Sequence, residues 1–270
     1  MSIEILISTF NRVEFLKVAI KSVLEQEYSD FVLTVVNSGS TDETDEYLKS
    51  IDDVRLKTIR FDENLGISKN IERSMAQTTQ RYVVLFHDDD VMESHLLNTY
   101  VKNLEEGVIL YHSDVKFIDS HGVQLNRVRP VVEPLIEKNQ YIDFLIKNRR
   151  AASIVMPTVM VDTGGLRDNS IWPLTLNPKL SMLVDMGIWI QLNEFGGFKY
   201  IDKKCLRYRL HNNSGTSVFG KKINEMFINR WAIFTEINLK DKGVLCKLLS
   251  VKYLLRAVMY DFKVLFFKKA

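Results

Sequence analysis

Tyr82-Val83-Val84-Leu85-Phe86-His87-Asp88-Asp89-Asp90-Val91 decides the fold of this 270-residue chain. Its first five residues are all aliphatic or aromatic, the pattern of a strand covered on both faces, as parallel strands are. Three consecutive carboxylates follow. Such a cluster repels itself unless something positive comes to it. The hard-cation rule points to Mg²⁺ or Mn²⁺, held by one or two carboxylates plus the phosphates of a substrate. Open α/β sheets bind ligands outside the carboxyl ends of their strands, which is where the run falls.

Upstream, strand and helix patterns alternate. Residues 3 to 8 read as a strand and 13 to 27 as a helix, with apolar positions at Leu16, Val18, Ala19, Ile20, Val23 and Leu24. A β-branched strand at 31 to 36 breaks at Asn37-Ser38-Gly39-Ser40-Thr41-Asp42, whose small polar residues make a turn and a helix cap. A helix at 43 to 51, a strand at 54 to 61 and a helix at 69 to 78 lead to the quoted run. The alternation implies a parallel α/β sheet with right-handed crossovers. Beyond it the pattern predicts a helix at 95 to 105, strands at 108 to 111 and 115 to 118, and a helix at 142 to 148. An extended stretch around Pro157, a helix at 180 to 195 and a strand at 205 to 210 follow. From Lys221 onward the pattern is helical, with Phe227, Trp231 and Phe234 on one face.

Composition narrows the class. Apolar residues make up 46% and charged residues 26%, ordinary values for a globular protein. Cys205 and Cys246 are too few for a disulfide framework and fit a reducing compartment. No run of about 18 apolar residues suggests a spanning helix, and Met1-Ser2-Ile3-Glu4 does not read as a leader. The net charge of +2 is unevenly placed: residues 240 to 270 carry +6 and the rest −4. That argues against a nucleic-acid binder and for a localised contact. Lys252, Arg256 and Lys263 share one stripe of a helical wheel otherwise covered by apolar residues, which suits either a membrane interface or docking on the body.

Four segments in order carry a family likeness. Ser8-Thr9-Phe10-Asn11-Arg12 resembles the "S-x-Y-N-R" opening of family-two glycosyltransferases, and Val36-Asn37-Ser38-Gly39-Ser40-Thr41-Asp42 their "V-D-D-G-S-T-D" segment. Asn64-Leu65-Gly66-Ile67-Ser68-Lys69-Asn70 is similar to "N-x-G-x-x-x-A-R-N", and Asp88-Asp89-Asp90 to the DxD region. Further on, Val184-Asp185-Met186-Gly187-Ile188-Trp189 resembles "E-D-x-x-x-W", and Arg209-Leu210-His211-Asn212-Asn213-Ser214 resembles "R-x-H-x-x-S". The likeness implies a GT-A fold, a Rossmann-like and mostly parallel sheet flanked by helices. Residues 1–95 would form a nucleotide-binding half, 96–217 an acceptor-binding half, and 218–270 a C-terminal helical extension.

The implied activity is inverting transfer of a sugar from a nucleoside diphosphate to a glycan or lipid-linked glycan, with Mn²⁺ or Mg²⁺, in bacterial surface polysaccharide assembly. The implied place is the cytoplasm, at the inner face of the membrane if the basic tail binds lipid. Nucleotide contacts are implied for Thr9, Asn11, Arg12, Asn37, Ser38, Asn64, Lys69 and Asp88. Asp89 is implied as metal ligand, with Asp90 behind it or as an alternative ligand. His211 would reach the metal or the diphosphate. Asp185 is implied as the base that takes the acceptor proton. Two departures matter. Asn37-Ser38 stands where uracil binders carry two Asp, which leaves UDP, dTDP and CDP open, and Val184 replaces the usual Glu. A sugar-nucleotide binder without turnover remains an alternative on those grounds. A sugar-nucleotide nucleotidyltransferase would need a glycine-rich phosphate loop after strand one, and Thr9-Phe10-Asn11-Arg12 has no glycine.

Overall fold

The computed structural model describes residues 2–127, 133–147, 154–176 and 183–211. The C-terminal extension expected at 218–270, and Asn212 to Ser214 of the loop quoted above, lie outside the described residues. Strands β1 (Ile3–Thr9), β2 (Phe31–Asn37), β3 (Leu56–Arg60) and β4 (Tyr82–His87) alternate with helices α1 (Val13–Leu24), α2 (Thr44–Lys49) and α3 (Ile67–Met75). All three pairings among those strands, β1 with β2, β1 with β4 and β2 with β3, are parallel. This is the doubly wound half that the alternation predicts.

The second half is mixed. β5 (Val91–Met92) and α4 (Leu96–Val101) lead into the long β6 (Val108–Ile118). Then come β7 (Leu135–Ile136), α5 (Tyr141–Lys147), a 3₁₀ turn at Met156–Thr158, β8 (Met160–Asp162), α6 (Gly164–Asp168), α7 (Val184–Leu192) and β9 (Gly197–Arg209). The nine strands form one sheet in the order β3-β2-β1-β4-β8-β6-β9-β5, with β7 beside β9. β8 runs antiparallel to both β4 and β6, whereas β6 and β9 are parallel.

Alternation along β1 shows how the sheet is buried on both faces. Ile3, Ile5 and Ile7 pack with Leu16, Ala19, Ile20 and Val23 of α1 on one face. Leu6 joins Met75, Trp172, Ile188 and Trp189 on the other. Glu4 shares that second face and is fully buried. Its carboxylate accepts bonds from Thr34 Oγ1 at 2.6 Å and from the backbone N–H groups of Thr79 and Gln80 at 2.6 and 3.0 Å. A buried charge is tolerated only when so satisfied, and here it ties the turn before β4 to the sheet.

Several expectations change length or boundary. Among the described residues the helix expected at 180 to 195 covers Val184–Leu192, the one expected at 69 to 78 is Ile67–Met75, and the extended stretch around Pro157 holds a 3₁₀ turn. The helix expected at 95 to 105 spans only Leu96–Val101. The strands expected at 108–111 and 115–118 are one, because His112 and Ser113 between them are fully buried. The last strand begins at Gly197 rather than Cys205. A register irregularity, Ser113 opposite Ile201 and Asp114 opposite Lys204, absorbs the charged Asp202-Lys203 stretch that breaks its alternation.

Candidate donor and metal site

Three strand ends meet at the carboxyl edge of the parallel half. Thr9 lies opposite Asn37, and Ser8 opposite His87. The residues just after β1, β2 and β4 therefore share one rim. Thr9 Oγ1 donates to Asp88 Oδ2 at 2.8 Å. Arg12 Nη1 bridges Asp88 Oδ1 at 3.2 Å and Asp89 Oδ2 at 3.0 Å.

The far side of the run is closed by β9. β5 pairs antiparallel with β9, Val91 opposite Arg207, which carries Arg209 and His211 onto the carboxylates. The backbone N–H of Arg209 donates to Asp90 Oδ1 at 2.7 Å, and its Nε to the Asp89 carbonyl at 2.7 Å. Its Nη1 reaches the carbonyls of Asp119 and Ser120 at 3.2 and 3.1 Å. His211 Nε2 lies 3.0 Å from Asp89 Oδ2. Its ring packs 4.8 Å from that of Phe15, over which the Arg209 guanidinium also sits at 5.2 Å.

These surroundings separate the three acids. Burial and the neighbouring Asp89 charge push Asp88 up to about 6. Burial and Asp89 drive Asp90 well above the usual carboxylate range. For Asp89 burial acts in the same direction but is outweighed by the His211 hydrogen bond and the His87, Arg12 and His211 charges, so it stays low and ionised. The ionised Asp89 makes His211 Nε2 the donor. Asp90 Oδ2 is buried and, among the described residues, accepts no hydrogen bond.

A buried oxygen without a partner is costly, and hard cations take such oxygens as ligands. The residues present therefore fit a divalent ion. Among the described residues, one ligand atom each from His87, Asp89 and Asp90 lie within 4.8 Å of one another. His87 was not singled out from the sequence; the available signal was an imidazole directly before the acidic run.

A second network lies beneath the first. Asn37 Nδ2 donates to Asp45 Oδ1 at 2.7 Å, and its Oδ1 accepts from the Ser40 N–H at 2.9 Å. Arg60 pairs with the same Asp45 and bonds the Ser40 carbonyl. Asn11, in the left-handed region at φ 53°, receives the Thr41 N–H at 2.7 Å and donates its own N–H to Ser40 Oγ at 2.9 Å. The Ser38 N–H reaches the Thr9 carbonyl at 2.9 Å, while Ser38 Oγ is buried and has no hydrogen-bond partner among the described residues.

Two expected nucleotide contacts have structural partners. Asn64 Oδ1 accepts from the Gly66 N–H at 2.9 Å and from Asn70 Nδ2 at 2.7 Å, which locks the turn before α3. Lys69 pairs with Glu72 at 3.2 Å, one turn along its own helix, and not with the acidic run. Asp185 is the second residue of α7 and half-buried. Burial pushes it up to about 6, against hydrogen bonds from the Met186 N–H, at 2.8 Å, and its own N–H. Among the described residues no salt bridge neutralises it.

The chain belongs to the glycosyl transferase family 2, whose sequence model matches residues 4–169. An uncharacterised glycosyltransferase of Rickettsia bellii is 22% identical over 228 residues, covering 84% of this chain but only 31% of its own length. The chain thus spans about a third of that relative. The putative teichuronic acid biosynthesis glycosyltransferase TuaG of Bacillus subtilis is 23% identical over 242 residues, with 87% and 88% covered. S. aureus TarS, solved with UDP-GlcNAc, superposes with a TM-score of 0.71 at 16% identity, covering 98% of this chain and 73% of that one. The mannosyltransferase PcManGT of Pyrobaculum calidifontis, solved with GDP-Man and Mn²⁺, gives 0.61 at 13% identity over 97% and 73%. These superpositions show the GT-A fold.

Proposed function

We propose that the chain transfers a sugar, with inversion and with Mn²⁺ or Mg²⁺, from a nucleoside diphosphate to a glycan or lipid-linked glycan of a bacterial surface polymer. The observation that carries this reading is the acidic run at the sheet edge, with the bare buried oxygen of Asp90. A bound divalent ion would neutralise the charge that develops on the departing diphosphate. Asp89 and Asp90 supply its oxygen ligands, and His211, seated on Asp89, steadies that carboxylate beside the ion or the diphosphate. Asp88, held by Thr9 and Arg12, faces the ribose, and Arg12 keeps positive charge beside the phosphates.

Asn37 and Asn11 build the base-binding turn through Asp45, Ser40 and Thr41. Ser38 Oγ is then the group left to meet the base, which suits UDP, dTDP or CDP. Asn64 and Lys69 shape the far rim. Asp185 takes the acceptor proton, its raised affinity for protons suiting a base that works near neutral pH. Residues 1–95 and 96–217 serve donor and acceptor respectively. The basic stretch 240–270 serves lipid contact at the cytoplasmic membrane face.

The test incubates the chain with UDP-, dTDP- and CDP-sugars in Mn²⁺ and follows release of the nucleoside diphosphate, slow hydrolysis included. Release from one base class supports the reading. Binding without release from any of them would make the chain a sugar-nucleotide binder instead.

A further inference from the structure

His87 ends β4 with a side chain 39% exposed, beside an acidic residue that is almost wholly enclosed. Its Nδ1 lies 3.8 Å from Asp90 Oδ2. That is too long for a hydrogen bond, so the imidazole does not satisfy the buried oxygen. Arg12 and His211 both engage Asp89 through Oδ2, which leaves Oδ1 for another partner. Two ligand atoms on one ion, each at about 2.1–2.2 Å, stand roughly 3 Å apart at right angles and about 4.3 Å apart when opposed. The 3.8 Å spacing falls inside that range, and the 4.8 Å limit on the whole group sits just outside it.

We propose that His87 is itself a ligand of the ion, making this a mixed nitrogen–oxygen site that selects Mn²⁺ over Mg²⁺. The inference rests on the metal-dependent reading above and adds a specificity-determining residue to it. Magnesium takes oxygen and keeps its waters, whereas imidazole suits transition ions. An all-carboxylate site has little ground for discriminating the two; one imidazole supplies it. His211 stays a donor to Asp89, because its Nε2 is already spent there.

The test measures Mn²⁺ and Mg²⁺ affinity of the full chain by calorimetry, in the parent, His87→Gln, His87→Asp and His211→Gln. Pulsed EPR on the Mn²⁺ forms reads coupling to a directly bound nitrogen. The parent should prefer Mn²⁺ by about tenfold or more and show nitrogen coupling. His87→Gln should lose at least about tenfold in Mn²⁺ affinity, little in Mg²⁺ affinity, and the coupling. His87→Asp, with oxygen in place of nitrogen, should bind with its preference moved toward Mg²⁺. His211→Gln should keep the coupling. Coupling that survives in His87→Gln, or that disappears in His211→Gln instead, overturns the proposal while leaving metal dependence intact. A parent chain that binds neither ion overturns the metal reading itself.

Discussion

Asp185 shows what a single residue's surroundings decide. It is a half-buried carboxylate on the first turn of α7, with no cation to pair with among the described residues, and burial raises it to about 6. Its folded proton affinity exceeds the unfolded one. The ionised form is therefore disfavoured by folding, a cost absent well below pH 4 and fully present above about pH 6. Asp185→Asn should raise stability at pH 7 by on the order of 1–2 kcal/mol and leave it unchanged near pH 3.5. If Asp185 is the base, the same variant loses about 10² to 10⁴-fold in turnover. It should keep its nucleotide Kd, and the parent's rate should fall as pH drops through about 6. Rate and Kd falling together would place Asp185 among the donor ligands; neither moving would remove it from the chemistry altogether. At this scale the acidic run was legible from its residue types, and Arg12 and His211 were singled out only through the family likeness of their segments. His87 and Asp45 were not, because their part depends on which atoms lie within reach after folding: Asp45, eight residues from Asn37, returns to it only when α2 packs.

At the scale of elements the parallel half was legible, since β1, β2 and β4 are largely apolar and alternate with helical stretches, although β3, Leu-Lys-Thr-Ile-Arg, is a partly exposed edge strand. The mixed half was not. β9 crosses three exposed charged positions, Asp202, Lys203 and Lys204, and keeps its pairing only through the irregularity opposite Ser113–Val115. Sequence alternation cannot register such a feature. That strand builds the candidate site, because its pairing with β5 delivers Arg209 and His211 to the acids. The β2 turn is equally constrained. Gly39 has φ 82°, and a Cβ there would stand 2.9 Å from the Asp62 carbonyl and 3.0 Å from the Glu63 Cα. Gly39→Ala should therefore destabilise the chain by at least about 1–2 kcal/mol, a fall of roughly 2–8 °C in Tm. It should also weaken nucleotide binding, as the turn holding Asn37 and Ser38 is displaced. An unchanged Tm would mean the 62–63 segment is not packed on this turn.

Across the whole molecule, the donor rim sits where the sheet's parallel strands end, and the charge is segregated, −4 over residues 1 to 239 and +6 over 240 to 270. Among the described residues no helix is long and apolar enough to cross a membrane. If the basic stretch meets lipid, vesicles of anionic lipid should sediment the full chain at low salt and release it as ionic strength rises toward about 0.5 M. Reversing Lys252, Arg256 and Lys263 to Glu together should abolish that sedimentation, and equal pelleting of the variant would remove the lipid role. The central claim is narrower: the acidic run binds the donor through a divalent ion. The direct measurement is calorimetric titration of the nucleoside diphosphate that the donor screen selects, with and without Mn²⁺, on the parent chain and on Asp89→Asn. The account predicts tighter binding with Mn²⁺ in the parent, and a variant that still folds, by an unchanged circular dichroism spectrum, but has lost that metal-dependent gain. Equal affinity with and without Mn²⁺ in the parent would contradict it.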